Sequence, residues 1–376
     1  MQKIRALLVR YPTVVLALLL IASVVWQYHQ HFISTIDIQE HAAAYSQSQY
    51  VLGEKSLAKI DDSTLYTYAS FAYWQGEDPT TINFEHPPLA KYYYGLFIML
   101  FGNPFWGSVL VFLGVLLMLD KIAAAVGMST KARLLLVLLV GTLSLLRVHT
   151  RYTLLDLPQL FGTLLIFLSA ITIEKKPTIK YTILLGAGLA IVAGAKYWFP
   201  WLPLMLGFIG FEAVRTKQLK PYLVATAIGG GVYLLTYLAY FLNGHTVADF
   251  VAFEWFRFKW FSGKTDVPKF LVFQTLFTGQ FQAWWAADTF EKTQHWSILW
   301  PVSFLSALWI GWKSVLQKNY WMVVLIGYSL LLLSIFAIGA AASDRFFIQL
   351  LPFWMLALAH QVDKLLLHSN ETQNTP

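Results

Sequence analysis

The sequence predicts an all-α polytopic membrane protein with about ten spanning helices, and three observations carry that prediction. The chain of 376 residues is 57% hydrophobic and only 12% charged, roughly half the charged share of an average soluble domain. Its apolar residues gather into runs near the length that crosses a bilayer. Its basic residues concentrate in the short connections on one side of those runs, as topology requires.

The runs lie at about 12–27, 104–119, 132–149, 153–173, 181–197, 199–213, 221–242, 296–312, 320–341 and 346–366. The fifth and sixth meet at Trp198-Phe199-Pro200, a tight hairpin. Lys3, Arg5 and Arg10 precede the first run. It reads as an uncleaved first helix, with a signal peptide ending near Ala22 and Ser23 as the alternative. With the N-terminus inside and the spans alternating, the inner segments hold 15 of the 27 basic residues and 5 of the 20 acidic ones. The outer segments are much longer, yet they hold the remaining 12 basic residues and 15 acidic ones. This asymmetry places a multi-pass protein in the cell membrane with both termini cytoplasmic. Residues 1–366 then form one transmembrane domain, in which 28–103 and 243–295 are long extracytoplasmic loops. Residues 367–376, ending in HSNETQNTP, read as a disordered cytoplasmic tail.

Composition also excludes several function classes. The net charge of +7 is spread over short loops and forms no patch, so nucleic acid is not an expected partner. The chain has no cysteine, which rules out disulfides, zinc thiolate sites and thiol nucleophiles. A phosphate-cradling Gly-rich loop, HExxH and Asp-x-Asp are all absent, so the activated substrate of an enzyme here is not a soluble nucleotide.

The loop at 28–103 mixes polar runs with a motif-like stretch and a short apolar helix, about 92–101, too short to span. The loop at 243–295 carries FEWFRFKWF at 253–261 and the tryptophans Trp284, Trp285 and Trp296. Aromatic residues beside cations favour the lipid–water boundary, so it reads as one or two helices lying on the membrane surface. Such helices either anchor the protein or grip a lipid substrate.

Ionisable residues cluster at the outer ends of the helices, and charge within spans is costly and usually functional. Asp61-Asp62 is a pair of adjacent carboxylates, which is either a solvated acidic turn or a pair suited to proton abstraction. EHPPLAK at 85–91 sets Glu85, His86 and Lys91 around two prolines that fix an extended backbone before a helix. RYTLLD at 151–156 places Arg151 and Asp156 at the mouth of the fourth span, with Arg147 and His149 just before. Lys196 stands near the end of the fifth span, and Asp344-Arg345 opens the last. Each of these is also readable as a snorkelling or paired interfacial residue.

The string DDSTLYTYA at 61–69, then GEDP at 76–79 and EHPPLAK, resembles the first outer loop of the protein O-mannosyltransferases. RYTLLD is similar to that family's RYILLD stretch, GAKYW at 194–198 to its VKW, and DRFFIQLLP at 344–352 to the opening of a late helix in related GT-C glycosyltransferases. That superfamily includes the aminoarabinose lipid A transferases. The likeness covers order and spacing across about 300 residues. Asp62 stands where the family has Glu, and Ala90 where it has Gly. The carboxy-terminal extracytoplasmic domains of many relatives have no counterpart in the sequence. Trp284-Trp285 is followed by Ala286, where the oligosaccharyltransferases require Asp.

The resemblance implies a GT-C architecture and an inverting hexosyl- or pentosyltransferase of the cell envelope. Its donor would be a polyprenyl-phosphate-linked sugar, and its acceptor a hydroxyl of a protein, lipid or glycan, with protein O-mannosylation as one form. Asp61, matching the first acid of the family's pair, would be the general base, with Asp62 beside it. Arg151 is the first choice to hold the phosphate, because its planar fork can bind two oxygens. Lys196 comes next, then Lys91 and Arg345, while Glu85, His86 and Asp156 complete the expected substrate site. No metal or other cofactor is required, although a divalent cation stays compatible. The rival reading is a transporter or lipid flippase, but the charges lie at the rim and no repeat is visible, unlike the midplane sites of transporters. A non-catalytic membrane scaffold is a third reading.

Overall fold

A computed structural model describes residues 10–262, 268–283, 289–339 and 343–373, with side chains to Leu365. Lys3, Arg5, Trp284, Trp285 and Ala286 lie outside the described residues. Every one of the ten apolar runs contains a helix. The helices of eight residues or more are α1 (Pro12–Gln27), α2 (Ile38–Ser46), α3 (Asp62–Trp74), α4 (Leu89–Phe101), α5 (Phe105–Ala125), α6 (Thr130–Thr142), α7 (Asp156–Lys175) and α8 (Ile179–Ala195). They continue with α9 (Trp201–Arg215), α10 (Leu219–Leu235), α11 (Val247–Ser262), α12 (Leu271–Thr278), α13 (Leu299–Leu316), α14 (Tyr320–Ile338) and α15 (Leu351–Gln373). Four of them, α5, α7, α13 and α14, are long and apolar enough to cross a membrane as single uninterrupted helices. With the shorter apolar helices they make the chain a multi-pass membrane protein.

Local chemistry explains where these helices start and stop. The run expected at 132–149 is broken at Leu143, whose backbone is extended, and resumes at Ser144–His149. The Arg147 guanidinium donates to the Gly141 carbonyl near the break at 3.3 Å and to Ser23 Oγ at 3.0 Å, so the interruption does not leave that carbonyl bare. Helix α4 begins as soon as Pro87 and Pro88 are past, because proline lacks the N–H that a helix interior needs. Its 13 residues reach roughly 20 Å, short of the hydrocarbon thickness of about 30 Å.

The expected single domain divides into two compact units whose segments alternate along the chain. One comprises Val24–Phe112 and Val148–Lys264, the other Met1–Ser23, Leu113–Arg147 and Thr265–Pro376. In the first unit, α7, α8 and α10 pack through glycines. A Cβ at Gly188 would lie 2.8 Å from Ile166 and 3.0 Å from the Gly162 carbonyl, and one at Gly186 would lie 2.9 Å from the Ala225 carbonyl. Lipid tails are as apolar as leucine, so helices in a bilayer associate by such close backbone approach. In the other unit α15 is the centre, packing against α6, α13 and α14. The buried Trp354 donates to Ser329 Oγ at 3.2 Å, and Asp363 accepts from both the backbone and the hydroxyl of Ser129, the N-cap of α6.

Two details depart from the sequence reading. The segment 243–295 contains helices α11 and α12, as expected, but also an antiparallel pair, β1 (Gln280–Gln282) and β2 (Phe290–Lys292). Strands of three residues are too short to show an alternating pattern. Helix α15 runs to Gln373, into the stretch read as a disordered tail.

The glycine packing gives a direct expectation. Gly188→Leu should lower the thermal unfolding midpoint of the detergent-purified protein, with a cost of about 1–3 kcal/mol from overpacking. Gly230→Leu, at a position with open space around it, should leave the midpoint unchanged.

Candidate functional site

Four of the motif stretches meet in one hydrophobic cluster of the first unit. Leu65 and Tyr66 come from DDSTLYTYA, Ala90 from EHPPLAK, Leu155 from RYTLLD and Ala195 from GAKYW, and Tyr94 joins them. Gly194 permits part of this convergence, since a Cβ there would stand 2.8 Å from Leu89. That bare backbone lets the start of α4 rest against the end of α8.

Asp61 is the N-cap of α3, its Oδ1 accepting the Thr64 N–H at 2.7 Å, and Asp62 fills the first turn. Both carboxylates sit at the positive end of the helix dipole. Asp61 is exposed and Asp62 half-buried. The face of α3 one residue further on holds the RYTLLD stretch in place. Ser63 Oγ accepts the Thr153 N–H at 2.9 Å, and Thr67, one turn along, bonds the Thr153 hydroxyl at 2.7 Å. Tyr94 donates to the Leu154 carbonyl at 2.8 Å and Ser108 to that of Tyr152 at 3.0 Å. The irregular backbone before α7 is thus satisfied by side chains from α3, α4 and α5.

Arg151 lies at the opening of this stretch. Its guanidinium carbon sits 5.2 Å from the Tyr28 ring and 5.1 Å from the Tyr152 ring, and its buried Nε has no hydrogen-bond partner. Ring faces hold the planar group by cation–π attraction, and among the described residues no carboxylate pairs with it. Beside it, burial lowers the pKa of His31, and the positive charge of Arg151 lowers it further.

The other expected cations are engaged differently. Lys196 Nζ pairs with Asp156 Oδ1 at 2.5 Å, both side chains largely buried, which ties the end of α8 to the start of α7. Lys91 is completely buried. Its Nζ donates to the carbonyls of His86 at 2.7 Å and Pro87 at 3.1 Å, and it faces the rings of Tyr66 and Tyr73. Burial holds its pKa well below the usual lysine range. The charge of Arg257 adds to that effect, and Glu85 opposes it. Lys91 therefore closes the EHPP loop on itself. His86 Nδ1 accepts the Tyr197 N–H at 3.2 Å, which puts the proton of the neutral ring on Nε2, and the ring stacks on Phe261. Glu85 accepts from Trp260 Nε1 at 3.3 Å. Arg345 belongs to the other unit, in the short 3₁₀ helix Asp344–Gln349, where Asp344 accepts from Thr293 at 2.5 Å.

The sequence reading missed the polar core behind α11. That helix turns its apolar side chains outward, with Val247, Val251, Trp255, Phe256 and Trp260 exposed, and buries Arg257 completely. Arg257 pairs with Glu254 three residues earlier and donates to the hydroxyls of Tyr233 and Tyr237, each at 2.7 Å. Tyr233 and Trp198 in turn donate to Glu254 at 2.8 and 3.0 Å. The spacing of Glu254 and Arg257 opposite the aromatic positions was the available signal, but a helix with its apolar face outward inverts the usual rule. Among the described residues no group of three or more His, Asp or Glu side chains is gathered for a metal ion.

Two crystal structures of ArnT from Cupriavidus metallidurans share this fold. The apo form has a TM-score of 0.56 and the form bound to undecaprenyl phosphate 0.54, each at 13% identity over 81% of this chain. The chain corresponds to 56% of the length of those proteins. No family profile matches the sequence, and no curated protein matches it. The all-α polytopic fold expected from the sequence is therefore the one these two structures share.

The Lys196–Asp156 pair should reveal itself in stability. Lys196→Met leaves a buried carboxylate without its cation and should cost about 3–5 kcal/mol, read from thermal unfolding. The double variant Lys196→Met/Asp156→Asn should recover most of that loss.

Proposed function

We propose that the chain is an inverting glycosyltransferase that moves a sugar from a polyprenyl-phosphate carrier to an acceptor hydroxyl on the extracytoplasmic face of the membrane. The observation that carries this reading is the bond from the Thr153 N–H to Ser63 Oγ. It fastens the helix start bearing Asp61 and Asp62 to the loop bearing Arg151. The fold shared with a protein crystallised with undecaprenyl phosphate supports a polyprenyl-linked donor.

In this reading both termini are cytoplasmic, and the Asp61 helix start and EHPP loop face outward. Asp61 accepts the proton of the acceptor hydroxyl as that oxygen attacks the anomeric carbon opposite the phosphate. The new C–O bond forms as the bond to the phosphate oxygen breaks, and both electrons of that bond leave with the lipid phosphate. The configuration at the sugar carbon inverts. Arg151 stabilises the growing charge, because its faces are held by tyrosine rings while its N–H edges can meet phosphate oxygens. Lys196 and Asp156 keep the loop in register. Lys91, His86 and Glu85 shape the wall beside it. The outward aromatic face of α11 rests in the lipid from which the donor arrives. No metal is needed, since the phosphate charge is met by arginine. The motif resemblance favours mannose as the sugar and a protein hydroxyl as the acceptor.

Transfer assays with purified lipid-linked sugars test the reading and identify the sugar together. Asp61→Asn should reduce turnover by about 10²–10⁴-fold with the fold intact, and full activity would remove Asp61 from the role. Arg151→Ala should weaken donor binding more than acceptor binding, and unchanged donor affinity would contradict its assignment.

A further inference from the structure

A second site with its own chemistry lies in the other unit. Helices α13 and α15 enclose a cavity of about 120 Å³, lined by Trp309, Lys313 and Gln317 from one helix and His360, Gln361 and Lys364 from the other. The spacing 309, 313, 317 and 360, 364 aims one stripe of each helix into the same space. Two ammonium groups therefore border the cavity with no carboxylate among its lining residues. Asp363, next in sequence to Lys364, is turned to the Ser129 N–H and hydroxyl at 3.0 and 2.5 Å. His360 is only 7% exposed, and its Nδ1 has no hydrogen-bond partner. A buried polar atom without a partner is costly, and the exposed Lys313 and Lys364 bring two positive charges to the mouth of the same cavity.

The surroundings point to lipid as the source of a counter-charge. Trp309 and Leu365, which line the cavity, are exposed, as are Leu305, Trp312 and Leu316 elsewhere on α13, and Lys313 Nζ lies 4.7 Å over the Trp309 ring. Tryptophan and lysine together on an apolar surface mark the headgroup level of a bilayer, where lysines attract anionic lipids. We infer that this cavity binds a phosphate-bearing anion, with Lys313 and Lys364 meeting the phosphate oxygens and the rim accommodating acyl chains. Nothing in this inference depends on the proposed glycosyl transfer, since none of these residues belongs to that site.

The test uses the full-length protein in a zwitterionic detergent. Thermal unfolding and binding are followed on addition of dioctanoyl phosphatidylglycerol, dioctanoyl phosphatidylcholine or inorganic phosphate. Phosphatidylglycerol should raise the midpoint, and phosphatidylcholine should not. Lys313→Gln/Lys364→Gln should weaken phosphatidylglycerol binding about thirtyfold, while Lys313→Arg/Lys364→Arg retains it. Competition by inorganic phosphate at equal concentration would identify a site for free phosphate, and its absence would identify a lipid headgroup site. Either result supports the anion site. An equal response to both lipids, or binding unchanged in the glutamine double variant, overturns it.

Discussion

Within a hydrocarbon layer, backbone that is neither helix nor closed barrel survives only where protein supplies its hydrogen bonds. The stretch at 151–155 is non-helical backbone at the mouth of α7, and its polar groups at Tyr152, Thr153 and Leu154 are met by Ser108, Ser63 and Tyr94 from three helices. The rest of the candidate site follows from that constraint. Because Ser63 and Thr67 lie one turn apart on α3, docking the loop also fixes the orientation of α3. The Asp61-Asp62 start of that helix is thereby tied to the loop that carries Arg151.

Burial sorts the cations of this unit into different tasks. Lys91 spends its hydrogen bonds on its own loop, Lys196 is matched to Asp156, and Arg257 is enclosed by Glu254 and two tyrosines. The carboxylates offset the charges of Lys196 and Arg257, and the loop carbonyls satisfy the donors of Lys91, so none of the three is buried without compensation. Arg151 is held instead by the faces of Tyr28 and Tyr152. Aromatic faces position a guanidinium without cancelling its charge, which is the property the proposed phosphate-binding role requires.

Much of the fold was legible in the sequence because hydropathy reads directly on length and lipid exposure. All ten apolar runs contain helices, with breaks near Leu143 and after Leu235. Convergence of the motif stretches was legible only as order and spacing, and the shared cluster of Leu65, Ala90, Leu155 and Ala195 gives that order its physical meaning. Pairings between distant residues were not legible. Lys196 and Asp156 are 40 positions apart, and no local pattern indicates that one neutralises the other. The Glu254–Arg257 core was hidden by α11, where the exposed face is the apolar one. The division into two units was also hidden, since each is assembled from separated segments.

The position of the lipid phosphate is decisive for the proposed role of Arg151. A structure determined experimentally with a polyprenyl phosphate bound would decide it most directly. The phosphate oxygens should lie within about 4 Å of the Arg151 guanidinium, with the space between them and Asp61 open to an acceptor. A phosphate seated on other residues, with Arg151 still clasped between its tyrosines and out of reach, would contradict the account.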